Sequence, residues 1–487
     1  MKKYLLYLIP IFLLTIVFGY LNILPKSNFT YGIIAAAVTV ILVFLEETKQ
    51  PGLNRFLILL AFLLILAPRI IPYLNNSIPI GYDAGIYKYA IEHPFEEWMQ
   101  VAVPRGFTFP LAFLNLFLPI NFILTYLLIG FELLLGFALY KTVKEYVNKN
   151  TAIIALLLFS VSFAQFRVFT FMYYKNILAL SLLLFAFYFL KKQKRIPFIL
   201  ITSWLGSMHQ PTFLLFGLSY AAYTFISYKK DLKKNVINGI LILALTLLSY
   251  AGVLKETLFP QIKSAVGLEI GAGTFIGILQ YQSLFLILLP FLFLGVYHSF
   301  RNREINILFL WFIFNLIIVS FQLIFFNRYI IHLDLILIIL ASIGLYLLFQ
   351  KDKWVGTVSL AIILLFSAYI VFSEAMVTEP LISKERLQMM ESLQNVNGSV
   401  MSTHKNDSPW LLGYSGKKAI APGLWEFNKW SLEEWNIFWY SGNFTQVKPL
   451  LDRYEKPIYI VTRNFINQKV FQNPCFQQLG KIYRYDC

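Results

Sequence analysis

The sequence predicts an α-helical polytopic membrane protein with a small C-terminal α/β domain in water. Of the 487 residues, 58% are hydrophobic and only 14% are charged, which is more apolar surface than one soluble core can bury. Apolar runs of about 20 residues, the length that crosses a hydrocarbon layer of about 30 Å, recur from Tyr4 to Phe372. From Glu374 to Cys487, by contrast, 13 basic and 11 acidic residues predict a water-facing domain.

The apolar runs predict about thirteen membrane spans within residues 1–373. Residues 107–140 are too long for one span and too short for two, so their first part, around Pro110 and Pro119, is predicted to be re-entrant or interfacial. Residues 196–226 are divided before Pro211, because proline ends a helix at the preceding residue. The predicted spans are centred near Phe12, Ala37, Leu64, Ile129, Leu157, Leu183, Ser203, Leu218, Leu243, Leu288, Asn315, Ile339 and Leu364.

Basic residues are distributed unevenly between the loops. With the N-terminus in the cytoplasm, the cytoplasmic loops carry 19 Lys and Arg residues and the outer loops carry 9. This asymmetry follows the positive-inside rule, so it supports an odd number of spans and a C-terminal domain outside the cytoplasm. It also explains the net charge of +16 and excludes a nucleic-acid partner. The composition suggests a multi-pass protein of a microbial plasma membrane.

Three segments are predicted on the outer side: a loop of about residues 70–108, a loop of about 255–275, and the domain of residues 374–487. In that domain a strand at Pro457–Val461 and a helix near Ser383–Leu393 indicate an α/β fold. Cys475 and Cys487 both fall in it, where a disulfide is permitted but not required. The domain also contains five tryptophans, for which packing in a core or at the membrane interface is favoured over stacking on sugar rings: Trp410, Trp425, Trp430, Trp435 and Trp439.

The first outer loop contains the strongest candidate for a catalytic residue. Asp83 lies in a Gly-Tyr-Asp-Ala-Gly motif, next to Tyr82, and precedes a segment whose apolar residues recur at helical spacing from Tyr87 to Met99. This spacing predicts an amphipathic helix on the membrane surface, with Asp83 at its start. On residue type alone, a helix N-cap explains Asp83 about as well as a catalytic role does.

Several cations are predicted at the same outer face. Arg328 is the most informative, because it lies between two strongly apolar spans and guanidinium groups bind phosphate in a planar, bidentate way. Snorkelling to lipid headgroups is the alternative, above all for Arg69 and Lys175. Tyr329 and His332 follow Arg328 and, with Tyr82, are further candidates for substrate binding. His209 lies at the predicted outer end of a span, where it could hydrogen-bond a sugar or phosphate; a structural histidine is the alternative. The predicted phosphate-binding residues are Arg69, Arg105, Arg167, Lys175 and Arg328.

A carboxylate and phosphate-binding cations at the outer face suit one reaction. The carboxylate would deprotonate an acceptor hydroxyl while a lipid-linked sugar phosphate leaves, and the cations would hold the developing charge. The donor would enter from the bilayer, in agreement with the absence of a GxxxxGK[ST] phosphate loop from the sequence. The predicted partners are thus membrane lipids, a polyprenyl-phosphate-linked sugar, and a lipid, glycan or protein acceptor.

Four motifs resemble the GT-C superfamily of membrane glycosyltransferases: Gly81–Gly85, Tyr173–Leu180, Met208–Thr212 and Asn327–Tyr329. The resemblance implies a transferase that uses polyprenyl-phosphate-linked sugars, with its essential acidic residue at Asp83. The first outer loop has no Asp-X-Asp or Asp-Glu pair, and the domain of residues 374–487 has no Trp-Trp-Asp-Tyr-Gly sequence. The oligosaccharyltransferase and protein O-mannosyltransferase branches are therefore poorly supported.

Metal dependence is an open question in the sequence. A divalent cation such as Mg²⁺ or Mn²⁺ requires several oxygen ligands. Asp83 and Glu269 are candidates, whereas Glu92, Glu96 and Glu97 fit a solvated helix face better. Glu269 could instead contact the acceptor or cap a turn.

The leading hypothesis is an inverting hexosyltransferase with Asp83 as the base. The first alternative is a transporter or flippase of lipid-linked glycans, which would use the same cations but no base. The second is a noncatalytic membrane assembly protein whose exterior domain binds a partner. A variant that retains donor binding but loses turnover separates the first two, and failure to bind any polyprenyl phosphate would favour the third.

Overall fold

Helices form most of the chain in the computed structural model, which describes residues 53–226, 228–251, 275–301, 306–323, 326–422, 429–462 and 468–487, with Pro10, Leu13 and Val17. The chain divides into two compact units. One contains residues 104–107 and 126–378 with the preceding chain up to Asn76; the other contains residues 77–103, 108–125 and 379–487. We call them the bundle unit and the C-terminal unit.

The helices before the C-terminal domain are α1 (Leu53–Ile70), α2 (Ala84–Glu92), α3 (Glu97–Ala102), α4 (Arg105–Asn115), α5 (Ile120–Tyr146), α6 (Lys149–Ser160), α7 (Phe163–Thr170), α8 (Tyr174–Lys191), α9 (Arg195–Met208), α10 (Gln210–Ile226), α11 (Tyr228–Ser249), α12 (Ile278–Phe285), α13 (Leu289–Arg301), α14 (Ile307–Ser320), α15 (Phe326–Lys351) and α16 (Lys353–Val377). Among the described residues, seven helices are long and apolar enough to cross a membrane, or eight if the pair α6 and α7, bent by 51°, forms one span. This confirms a multi-pass membrane protein.

The predicted span centres compare well with these helices. The centres near Phe12 and Ala37 lie outside the described residues, and each of the others lies in a helical segment. Residues 107–140 are divided between α4 and α5. The chain also breaks at His209, as Pro211 predicts: α9 ends at Met208 and α10 begins at Gln210. The total of about thirteen spans stays a prediction.

Helix α15 lies at the centre of the bundle unit. Of its most apolar 18-residue window, 89% is buried, and α6, α13, α14 and α16 pack against it. The approach of α13 is very close, because a Cβ atom added at Gly344 would lie 2.0 Å from the carbonyl oxygen of Phe291. A helix that is buried on all sides has apolar residues around its whole circumference, and the sequence of α15 accordingly shows no polar face.

The C-terminal domain is an α/β fold, as the sequence predicts. The elements are α17 (Lys384–Glu391), β1 (Ser399–Ser402), α18 (Ser408–Ser415), β2 (Ala419–Ile420), α19 (Leu432–Tyr440), α20 (Phe444–Leu451), β3 (Ile458–Val461), β4 (Phe476–Leu479) and β5 (Ile482–Tyr485). Its sheet has the order β2-β1-β3-β5-β4, in which β1 is parallel to β2 and β3, and β5 is antiparallel to β3 and β4. The predicted strand is β3, and the helix near Ser383 is α17, whose first turn the Ser383 hydroxyl caps.

Aromatic side chains fill the core of this domain. Trp430 and Trp435 are buried among the apolar residues behind the sheet, with Trp439 packed at the edge, and Trp410 is buried in α18. These positions confirm core packing, while Trp425 lies outside the described residues. The two cysteines form a disulfide between Cys475 and Cys487.

The first outer loop differs from its prediction in two respects. Its apolar segment forms two helices, α2 and α3, instead of one, with a break at residues 93–96. The apolar residues of α2 are also buried against α18 of the C-terminal domain and do not form a face for the membrane surface. An amphipathic pattern shows that one face is buried, but it does not identify what covers that face. Residues 77–103 therefore fold with residues 379–487, although the sequence places the domain boundary at residue 373/374.

Candidate functional site

Asp83 occupies the N-cap position of α2, the position that the sequence predicts. Its carbonyl oxygen accepts a hydrogen bond from the Tyr87 N–H (3.0 Å), and its side chain is half-buried. The carboxylate makes no capping hydrogen bond to the helix. Side-chain capping is therefore not the role of this carboxylate, and its role as a base stays a prediction.

Tyr82 is held by the C-terminal domain. Its hydroxyl donates a hydrogen bond to the carbonyl oxygen of Lys405 (2.9 Å). Burial, together with the nearby negative charge of Asp83, raises the pKa of Tyr82 to about 12, so the hydroxyl keeps its proton at neutral pH. This bond fixes the backbone next to Asp83.

The glycines of the first-loop motif allow α2 to approach α18. A Cβ atom added at Gly85 would lie 1.8 Å from the carbonyl oxygen of Pro409, and one added at Gly413 would lie 2.3 Å from the carbonyl oxygen of Gly85. The two backbones are therefore in contact. Helix α2, and with it Asp83, is positioned by this contact.

Replacing Gly85 by alanine is expected to lower the thermal stability of the protein. The new methyl group meets backbone atoms, which cannot rotate away, and such overpacking typically costs about 1–3 kcal/mol. Thermal unfolding of the purified variant measures the effect. The matched control is Gly130→Ala in α5, where an added Cβ meets nothing within 4 Å. Equal transition temperatures for the two variants would contradict the close contact.

The glutamates that follow Asp83 are engaged in local contacts. Lys88 donates hydrogen bonds to both carboxylate oxygens of Glu92 (2.6 Å each) and lies over the ring of Tyr414. Glu96 accepts hydrogen bonds from Tyr89 and Trp98. These contacts engage Glu92 and Glu96 with neighbouring side chains of residues 88–98.

In the bundle unit, the break at His209 begins a second cluster of candidate residues. His209 adopts an extended backbone conformation between α9 and α10, and its Nδ1 atom lies 2.8 Å from the hydroxyl of Thr212. The same hydroxyl lies 3.0 Å from Nε2 of His332 in α15. A hydroxyl has one hydrogen, so Thr212 donates to one imidazole and accepts from the other. Both rings are thereby held in place.

Lys175 and Arg328 lie near this histidine pair. The positive charges of Lys175 and Arg328 both lie within electrostatic range of the His209 ring, and so does the ring of His332. Tyr329 is buried, and its hydroxyl donates to the carbonyl oxygen of Pro211 (3.3 Å). The structure thus brings together five predicted site residues of the bundle unit, which we call the cation cluster: Lys175, His209, Arg328, Tyr329 and His332.

The two cations, Lys175 and Arg328, both lie at the N-terminal end of a helix. Lys175 lies in the first turn of α8 and Arg328 in the first turn of α15, so Arg328 belongs to a helix and not to the turn between two spans. Neither first turn contains an acidic residue. Basic side chains at this end oppose the helix dipole, which favours anions there. Two helix N-termini with two added cations form an arrangement suited to a phosphate group.

The other predicted phosphate ligands have different surroundings. Arg69 is fully buried, and it donates hydrogen bonds to Glu132 (3.0 Å) and to the carbonyl oxygen of Ile65 (3.1 Å). This buried ion pair accounts for the guanidinium group and does not fit the predicted role of Arg69. Arg167 forms an ion pair with Glu374 (2.5 Å). Arg105 donates to the carbonyl oxygen of Ala251 (3.1 Å).

Asp334 is the centre of a further buried network of hydrogen bonds, whose members the sequence does not identify. In α15, its Oδ2 atom accepts hydrogen bonds from Ser162 (2.8 Å) and Gln165 (2.9 Å). The hydroxyl of Tyr281 lies 3.4 Å from Oδ1. These three partners are far from Asp334 in sequence, so local patterns could not identify them. The only signal is the carboxylate in an apolar span, which requires partners.

The described residues do not fit a divalent cation. Within them, no group of three or more His, Cys, Asp or Glu side chains could hold a metal ion. Glu269, the second predicted ligand, lies outside the described residues with the rest of residues 252–274.

No protein-family model and no curated protein matches this chain. Solved structures match over most of its length. The oligosaccharyltransferase of Archaeoglobus fulgidus, in the apo form, has a TM-score of 0.63 at 11% identity, covering 85% of this chain and 70% of that one. Its complex with an inhibitory peptide and a dolichol-phosphate has a TM-score of 0.60 at 11% identity, covering 84% and 69%. ArnT from Cupriavidus metallidurans, in the apo state, has a TM-score of 0.59 at 11% identity, covering 89% and 97%. These similarities confirm the GT-C fold.

Proposed function

We propose that this protein is a GT-C membrane glycosyltransferase that moves a sugar from a polyprenyl phosphate donor, dolichyl or undecaprenyl, to an acceptor hydroxyl outside the cytoplasm. The observation that carries the proposal is the cation cluster, in which Lys175 and Arg328 lie in the first turns of two helices and their charges are both close to His209. A phosphate-bearing ligand suits this position. The archaeal structure with the same fold was solved with a dolichol-phosphate, which supports a donor of this class.

The reaction is a direct displacement at the anomeric carbon. Asp83 takes the proton of the acceptor hydroxyl, the hydroxyl oxygen forms the new bond to the sugar, and the bond between the sugar and the phosphate breaks. The phosphate leaves with the bonding electrons, and Arg328 and Lys175 stabilise its charge. Attack from the face opposite the leaving group inverts the anomeric configuration.

The histidines and Tyr329 are proposed to position the donor site. Thr212 holds both imidazoles by hydrogen bonds, so their orientation is set before the donor arrives. Tyr329 ties the start of α15 to the start of α10. In this proposal, Arg328 and Lys175 contact the phosphate, whereas His332 and Tyr329 hold the surrounding backbone.

Replacing Arg328 by alanine is expected to raise the KM for the donor. Hydrogen bonds to charged groups contribute about 1.5–3 kcal/mol, which corresponds to roughly tenfold to a hundredfold in affinity. Transfer of labelled sugar by purified protein in lipid vesicles, at a series of donor concentrations, measures the change. Lys351→Ala, at the opposite end of α15, is the matched control. An unchanged donor KM in Arg328→Ala, with the control unchanged too, would contradict the assignment.

A further inference from the structure

A cavity of about 260 Å³ lies in the bundle unit, apart from the residues used above. It is formed where α5 and α8 end and α9 and α11 begin, on the side that the loop charges predict to be cytoplasmic. Four basic side chains and one acidic side chain line it: Lys191, Lys194, Arg195, Lys234 and Asp231. In the sequence, these basic residues indicate only the membrane topology.

The positive charge of this cavity exceeds the negative charge of Asp231, its one acidic residue among those described. Across the described ranges, none of the four basic side chains forms an ion pair with a carboxylate. The neighbouring Lys192 differs, because it pairs with Glu145 (2.7 Å). Lys191 instead lies over the ring of Tyr146, 5.3 Å from its centroid. The cavity therefore favours an anionic occupant.

A buried asparagine fixes the orientation of Arg195. The Nε atom of Arg195 donates to Oδ1 of Asn238 (2.7 Å), and Asn238 is only 3% exposed. This contact uses one edge of the guanidinium group and leaves its two terminal nitrogens for another ligand. Two parallel N–H groups match two oxygens of a phosphate, which lysine alone does not achieve. The group is thus organised in advance of binding.

The remaining walls limit the size and nature of the occupant. Phe189, Leu190, Phe198 and Tyr223 provide an apolar side, so the ligand has an apolar part as well as a charged one. The volume is below the range of about 300–1,000 Å³ that is typical of pockets for drug-sized molecules. A headgroup therefore fits better than a nucleotide or a complete sugar donor. Asn306, the N-cap of α14, completes the polar side.

We propose that this cavity binds the phosphate of an anionic phospholipid, with Arg195 as the main ligand and Lys191, Lys194 and Lys234 around it. The acyl chains would leave along the apolar wall into the surrounding bilayer. Basic pockets between helices on the cytoplasmic side bind phospholipid headgroups in this way. The site serves a lipid of the membrane and is independent of the sugar-transfer reaction.

The test compares lipid binding to wild-type protein and to the double variant Arg195→Gln/Lys234→Gln. The full-length protein in detergent is titrated with phosphatidylglycerol or with zwitterionic phosphatidylcholine, and bound lipid is counted by native mass spectrometry. We expect wild-type protein to retain phosphatidylglycerol in preference to phosphatidylcholine, and the variant to retain it roughly tenfold less well, because each basic contact contributes to headgroup attraction. Lys351→Gln, which removes a basic residue outside the cavity, should bind as wild type does.

Two outcomes would overturn the proposal. One is equal retention of phosphatidylglycerol by wild type and double variant. The other is displacement of the bound lipid by inorganic phosphate at equal concentration, which would identify free phosphate as the ligand. If the double variant does not fold, Lys194→Gln/Lys234→Gln replaces it, because both lysines are exposed and form no ion pair among the described residues. The same reduction in lipid retention is expected of that pair.

Discussion

The Asp83→Asn variant is expected to bind the donor normally and to transfer sugar about 10²–10⁴-fold more slowly, the range that a general base contributes. The amide keeps the shape of the carboxylate but does not accept a proton at neutral pH. Thermal unfolding is measured on the same preparations, and rates are compared only between variants that unfold at the wild-type temperature. A loss of rate would therefore report on chemistry and not on folding.

The matched control for Asp83 is Glu92→Gln on the same helix. Glu92 pairs with Lys88, whose side chain is mostly buried and also lies over the ring of Tyr414, and glutamine keeps an oxygen that accepts a hydrogen bond from Lys88. We expect this variant to transfer sugar at nearly the wild-type rate. Rates are compared under saturating donor, with donor binding measured on the same preparations. If Asp83→Asn transfers sugar as fast as Glu92→Gln does, Asp83 is not the base.

The Arg69→Met variant is expected to lose about 3–5 kcal/mol of stability, because it leaves the Glu132 carboxylate buried and unpaired. Both side chains of this pair are 0% exposed, and each also has one buried polar atom without a partner among the described residues. The loss of stability in the single variant therefore comes from the Glu132 charge, which stays buried without its partner. Thermal or denaturant unfolding of the purified variant measures it.

The double variant Arg69→Met/Glu132→Leu distinguishes the two roles of Arg69. Replacing both members of a buried pair by apolar residues is often neutral or stabilising, so stability should return to near the wild-type value. If Arg69 is structural, the donor KM of the double variant should match that of wild type. A stable double variant with a raised donor KM would restore Arg69 to the phosphate site.

The cation cluster was largely predictable from the sequence. Lys175, His209 and Arg328 lie at the ends of apolar segments that alternate in direction, so their common sidedness follows from counting spans. Pro211 also predicts the break between α9 and α10 in which His209 lies. Thr212 was part of a quoted motif, but no local rule indicates that its hydroxyl joins two histidines.

The surroundings of Arg69 and α2 could not be derived in the same way. Arg69 and Glu132 are 63 residues apart, and a pairing between separate helices leaves no periodic signal. Glu132 in an apolar span was the available clue, because an ionisable residue there requires a partner. For α2, the apolar spacing was correct, but it does not distinguish lipid from a packed helix. The contact of Gly85 with Pro409 depends on the tertiary structure alone.

The measurement that tests the central claim most directly is the stoichiometry of transfer by wild-type protein in lipid vesicles. A panel of polyprenyl-phosphate-linked sugars is supplied with lipid, glycan and peptide acceptors, and both the glycosylated product and the free polyprenyl phosphate are measured. The proposed function predicts that one donor yields equal amounts of the two, with inverted anomeric configuration. Movement of an intact donor across the bilayer, with its sugar-phosphate bond uncleaved, would contradict it and identify a flippase.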